Sequence, residues 1–102
     1  MEKDNTFYAT GKRKTAIART WLTPGSGKII VNNQSVEEYF PVETFRLELT
    51  KPFNLTDTLG SYDVKANVAG GGISGQASAL RHGITKALIL INPDYRLTLK
   101  KA

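Results

Sequence analysis

Residues 70–75 place four glycines in six positions, Gly70-Gly71-Gly72-Ile73-Ser74-Gly75, with regular structure legible on either side. Upstream, Tyr62-Asp63-Val64-Lys65-Ala66-Asn67-Val68 alternates apolar and polar residues, the period of a half-buried strand. Downstream, Ala77, Leu80, Ile84, Ala87, Leu88 and Ile91 recur at three- and four-residue spacing, one stripe of an amphipathic helix. The unit is a strand, a glycine hinge and a helix. A helix that starts behind glycines leaves several backbone N–H groups free, and a phosphate is their natural guest. The rest of the chain must decide whether that phosphate belongs to a nucleotide or to a nucleic-acid backbone.

Two nucleotide patterns match in outline only. Gly70-x-Gly72-x-x-Gly75 has the dinucleotide-binding spacing, and Asp94 lies about twenty residues on. Asp94 belongs to an Asn-Pro-Asp helix stop, however, and not to the end of a second parallel strand. Gly70 and Gly75 also have P-loop spacing, but Gln76 stands where the phosphate-binding lysine belongs and Ala77 where the magnesium hydroxyl belongs. A small nucleotide-binding or phosphoryl-transfer protein using this loop is therefore the alternative reading. Glycines that serve only tight turning and close helix–sheet contact are the simplest one.

Charge favours the nucleic-acid backbone. Residues 1–34 carry six Lys/Arg against two acids, residues 35–63 two against six, and residues 64–102 six against one. Two basic segments flank an acidic one, and folding the ends together makes a basic face with an acidic face opposite. Solvated lysines scattered over a stable domain are the plainer explanation. With 102 residues the chain is one domain, residues 1–102, with 1–6 expected to be flexible. It has no cysteine and one histidine, so neither a metal site nor a cofactor is expected. No apolar run approaches membrane-spanning length and the start is polar, which makes a cytosol-like compartment the default and a membrane partner unexpected.

The remaining elements follow in order. Phe7-Tyr8-Ala9-Thr10 is extended, interrupted by Gly11-Lys12-Arg13-Lys14-Thr15. Ala16–Leu22 and Lys28–Asn32 are strand-like runs, and the five residues Thr23-Pro24-Gly25-Ser26-Gly27 between them predict a β-hairpin. Asn32-Asn33 suits a left-handed turn, and Ser35 with Glu38 forms a capping box for a short helix through Tyr39-Phe40. Residues 42–51 fit a strand or a helix, and Pro52 ends them either way. The long helix runs from the hinge to about Ile91 and is stopped by Asn92-Pro93-Asp94. The fold class is α+β, a small mixed sheet with helices on one face.

Three groups of residues suit a polyanion. The amides of Gly71, Gly72, Ser74, Gly75 and Gln76 form the hinge grip. Lys12, Arg13 and Lys14 on an extended segment point alternately to opposite sides, with Arg19 further along and Gly11 allowing close backbone approach. Arg81, His82 and Lys86 put cations on the helix that the hinge opens, His82 and Lys86 opposite the apolar stripe. Each group also reads as an ordinary solvated surface. No exposed aromatic pair for stacking bases is evident, so shape and phosphate contacts should dominate. Glu37, Glu38, Glu43 and Glu48 read as capping and solvation, and Gly25-Ser26-Gly27-Lys28 as turn chemistry.

Several separate stretches agree in order with one family. Ala9-Thr10-Gly11-Lys12-Arg13-Lys14-Thr15-Ala16-Ile17-Ala18-Arg19, Pro24-Gly25-Ser26-Gly27-Lys28, Gly70-Gly71-Gly72-Ile73-Ser74-Gly75-Gln76 and Leu80-Arg81-His82-Gly83-Ile84 resemble the small-subunit ribosomal protein nine family, bacterial type. Glu37-Glu38-Tyr39-Phe40-Pro41 fits as well, and the similarity spans Tyr8 to Ala102. The resemblance implies a non-enzymatic constituent of the small ribosomal subunit head that binds ribosomal RNA beside neighbouring head proteins. It also implies a left-handed βαβ crossover like domain two of ribosomal protein five, found too in some small-molecule kinases, and it favours helix over 42–51. The family usually continues into a long basic tail that reaches the peptidyl-site transfer RNA. Here 96–102 corresponds to the start of that tail, with Lys100 and Lys101 as further RNA-binding candidates, and the transfer-RNA contact falls on no residue present. The position before the glycines, often charged in the family, is Ala69.

Overall fold

The computed structural model describes residues 6–100. Its elements are β1 (Phe7–Arg13), β2 (Ala16–Pro24), β3 (Ile29–Val31), β4 (Gln34–Ser35), α1 (Val36–Tyr39), α2 (Glu43–Leu55), β5 (Tyr62–Ala69), α3 (Ile73–Ile91) and α4 (Tyr95–Lys100). The five strands make one mixed sheet in the order β1-β2-β5-β3-β4, parallel only between β3 and β5. Because β3 reaches its parallel neighbour through α1 and α2, that connection is a βαβ crossover.

The alternation of the strands decides which face is covered. Ala16, Ala18, Thr20 and Leu22 of β2 and Val64, Ala66 and Val68 of β5 are buried beneath helices. α3 crosses β1 and β2, and α2 packs on α3. The predicted stripe is the buried face of α3: Ala77, Leu80, Ile84, Ala87 and Leu88 are buried, and Ile91 packs at the margin. Phe40, Leu49 and Phe53 fill the space under α2. No helix of the described residues is long and apolar enough to cross a membrane.

Three local expectations differ from the structure. The hairpin predicted between residues 16–22 and 28–32 does not form, because β5 lies between β2 and β3. The chain instead passes over the start of β5, where the Asp63 carboxylate accepts the N–H groups of Ser26, Gly27 and Lys28 at 2.9, 3.1 and 2.9 Å. Those three bonds, the Lys28 N–H foremost, hold the Asp63 carboxyl below its ordinary value. The real hairpin lies where the sequence suggested an interruption. β1 continues through Gly11-Lys12-Arg13 and turns on Lys14-Thr15, with Arg13 opposite Ala16 and Lys14 left-handed at φ 56°.

Pro52 does not end α2 either. The helix continues to Leu55, since Pro52 sits in the last turn, where one lost backbone bond is offset by its own burial and that of Phe53. The Pro52 carbonyl remains in use, accepting from the Thr56 N–H and hydroxyl.

Other expectations hold. Asn32 and Asn33 are both left-handed, at φ 51° and 65°, in the two-residue turn from β3 to β4. The Ser35–Glu38 capping box closes in both directions. Asn92 ends α3, and its side chain accepts the Asp94 N–H at 3.0 Å. Residues 42–51 are helical from Glu43 onward.

Candidate nucleic-acid interface

The four hinge glycines divide by what surrounds them. Gly70 and Gly71 are left-handed, at φ 79° and 60°. A Cβ on Gly70 would strike the Thr15 carbonyl, and one on Gly71 would lie 3.2 Å from the Ala16 Cβ. These two bend the chain tightly against the β1–β2 turn, a conformation that suits glycine. Gly72 is extended and caps α3, and a Cβ there would meet nothing. Gly75 allows an ordinary 3.7 Å contact with Ala16. Half of the hinge therefore serves the fold.

The first turn of α3 carries the open amides. Ile73, Ser74 and Gly75 have no carbonyl four residues earlier inside the helix, and Ile73 and Ser74 are exposed. Gln76 is different: its N–H donates to the Gly72 carbonyl at 2.9 Å. Its side chain accepts from the Tyr39 hydroxyl at 2.6 Å and donates to the Gly70 carbonyl at 3.1 Å. Gln76 is thus a strut that ties α1 to the hinge, and its amide is not among the open ones.

The cations gather around this end of the sheet. Lys12, Arg13 and Lys14 are exposed, and the Lys14-Thr15 turn rests against Gly70 and Gly71. Lys12, Arg13, Arg81, His82, Ser78 and Glu48 line a recess of about 540 Å³. Within it Arg81 Nη1 lies 3.8 Å from Glu48 Oε2, which also accepts the Ser78 hydroxyl at 3.3 Å. Glu48 is the one acid of the central segment to reach the basic end; Glu37 and Glu43 line a separate recess of about 580 Å³ with Lys28 and Arg46. Opposed charges there give an anion little preference, and Arg46 is already bound to the carbonyls of Phe40 and Pro41 at 2.8 and 2.7 Å.

His82 and Lys86 do a second job. Lys86 Nζ donates to the Thr10 carbonyl at 3.0 Å, and His82 Nδ1 to the Lys12 carbonyl at 3.4 Å. Both carbonyls lie on the outer edge of β1, so the two side chains shield a strand edge while keeping their exposed positions. Gly11 departs from its sequence reading: the backbone that approaches it is α3, because a Cβ there would strike the Ala79 carbonyl and the Gly83 amide. Arg19 stands apart from the recess, on the uncovered face of the sheet. Lys100 closes α4, and Lys101 lies outside the described residues.

The expectation that no exposed aromatic pair exists is overturned. Tyr8 and Trp21 are cross-strand partners with ring centroids 5.0 Å apart, on the face without helices. The signal was their parity, which becomes readable only once β1 and β2 are known to pair. Among the described residues, no three His, Cys, Asp or Glu side chains gather as a metal site would require.

A family model described as ribosomal protein S9/S16 matches residues 11–102, a span that includes the β1–β2 turn, the hinge and α3 together. The chain belongs to this family. It is 56% identical over 99 residues to the small ribosomal subunit protein uS9 of Syntrophobacter fumaroxidans (strain DSM 10017 / MPOB), covering 97% of this chain and 76% of that protein. Membership in a ribosomal structural family sets aside the enzymatic reading of the glycine loop and agrees with the two failed nucleotide positions, Gln76 and Ala77.

Proposed function

We propose that this protein is a constituent of the small ribosomal subunit in the cytoplasm that grips ribosomal RNA backbone with the hinge end of its sheet. The observation that supports the reading is that the Lys14-Thr15 turn packs against Gly70 and Gly71, directly before the open amides of Ile73, Ser74 and Gly75, while Arg13 at the end of β1 and Arg81 of the same helix line one recess. Amides and a helix dipole favour a phosphate between them, and the cations extend the track to its neighbours. Lys12 and His82, which line the same recess, belong to this reading, as do Arg19, Lys86, Lys100 and Lys101. Placement in the head of the subunit, neighbouring head proteins and a left-handed crossover like domain two of ribosomal protein five belong to the same reading. Contact with peptidyl-site transfer RNA through a basic tail after 96–102 does too.

Gly72→Asp tests it. The site is open and extended, and Asp is a favoured N-cap that also suits the helix dipole, so folding stability should hold within about 1 kcal/mol. Its carboxylate would occupy the amides meant for phosphate. Filter binding to small-subunit ribosomal RNA should then weaken by about tenfold or more, a loss on the scale of removing charge-assisted hydrogen bonds. Unchanged affinity in a folded variant would refute the grip.

A further inference from the structure

The uncovered face of the sheet is not the polar surface that an antiparallel sheet usually turns to water. Its side chains stand in cross-strand rows set by the register. One row is Tyr8–Trp21–Lys65–Ile30, the next Thr10–Arg19–Asn67, and the third Lys12–Ile17–Ala69. Tyr8 and Ile17 are 45% and 42% exposed, and Lys12, Arg19, Lys65 and Asn67 are exposed as well. The Tyr8 hydroxyl shares a 3.0 Å hydrogen bond with Thr10, which holds the ring beside Trp21. A shallow depression of about 250 Å³ lies beside it, lined by Ile17, Arg19, Asn67 and Ala69. In these three rows there is no acid at all. At the start of β5, Asp63 is already satisfied by three amides of its own chain.

Aromatic rings interleaved with cations match the chemistry of an unstacked polyanion: π-faces for bases and positive charge for the phosphates between them. We infer that this face is a second RNA-binding surface, stacking bases of single-stranded RNA on the Tyr8–Trp21 pair while Lys12, Arg19 and Lys65 take the flanking phosphates. Asn67 offers an amide to a base edge above the depression. An acidic protein segment would meet the cations but would leave Trp21 and Tyr8 without π partners, and so RNA fits better. The inference rests on the RNA-binding reading of the chain and adds a second surface, which shares Lys12 with the recess of the hinge end.

Trp21 is the single tryptophan, so its emission reports on this face alone. Titrating the protein with a labelled single-stranded oligoadenylate of about twelve nucleotides should quench Trp21 saturably as the anisotropy of the label rises. The double variant Arg19→Ala/Lys65→Ala, changed only at exposed strand positions, should weaken that quench about tenfold, while Gly72→Asp should retain most of it. Rising anisotropy without quenching would overturn this surface and leave the hinge reading standing. If neither signal appears with the oligonucleotide or with small-subunit ribosomal RNA, both readings fall. Quenching by a polyglutamate peptide and not by RNA, or loss of the quench in Gly72→Asp alone, would also overturn it.

Discussion

Replacing Gly11 with alanine should prise the sheet away from the helix that carries the basic residues. The added Cβ would strike the Ala79 carbonyl and the Gly83 amide and lie 2.9 Å from the Gly83 Cα. Unstrained carbon contacts sit at about 3.5–4.0 Å, so β1 or α3 must retreat by roughly 1 Å. Both partners are backbone, and no rotamer change can absorb the clash. Overpacking costs about 1–3 kcal/mol, and a forced backbone shift places this variant near the upper end. For a domain of this size the melting temperature should fall by on the order of 10–20 °C, read by far-ultraviolet circular dichroism and checked by the urea midpoint. Gly83→Ala gains about 1 kcal/mol of helix propensity. Its Cβ nevertheless strikes the Thr20 hydroxyl and lies 3.1 Å from the Thr20 Cβ and 3.2 Å from the Gly11 amide nitrogen. One retreat of α3 relieves both clashes, so the double variant should cost clearly less than the two single costs together. A Gly11→Ala protein within about 0.5 kcal/mol of wild type, or fully additive costs, would refute this account of the contact.

Three other variants test single interactions. Asp63 has a lowered pKa in the folded state, so its carboxylate contributes stability above the ordinary value of 3.8 and loses it as pH falls through the lowered one. Asp63→Asn keeps an acceptor but no charge, and the gap between the two urea midpoints should close as pH drops below that window; a pH-independent gap would contradict it. Asn32→Ala should cost about 2 kcal/mol by thermal melting, because the Asn32 side chain accepts the Val68 N–H at 2.8 Å and donates to its carbonyl at 3.1 Å. Asn32→Gly, measured alongside, separates that loss from the left-handed backbone. Gly70→Ala should cost about 2 kcal/mol because it combines a left-handed φ with a clash against the Thr15 carbonyl, whereas Gly72→Ala should cost no more than about 1 kcal/mol.

The parts of the fold legible in the sequence are those settled within a few residues. The Ser35–Glu38 box, the Asn32-Asn33 turn, the α3 stripe and the Asn92 stop each depend on neighbours along the chain. Pro52 shows the limit: its local effect disfavours helix, and the burial of Pro52 and Phe53 that offsets it depends on packing. The cations of the site were legible as types, and so was the glycine hinge. Their division of labour was not. Gln76 became a strut because Tyr39, 37 residues away, reaches it, and Glu48 enters the basic recess because α2 packs on α3.

The glycine hinge, its amphipathic helix and the clustering of charge were decided by the sequence alone, because spacing and torsional freedom act locally. Strand neighbours were decided only by the tertiary structure. Period-two alternation tells which residues share a face but not which strand lies alongside, and β5, which begins only at Tyr62 while β2 ends at Pro24, took the place a hairpin partner would have held. That insertion put Asp63 on the loop's amides, while the Lys14-Thr15 turn brought Tyr8 beside Trp21 and docked against Gly70. Each of these contacts joins residues that only the packed sheet brings within reach.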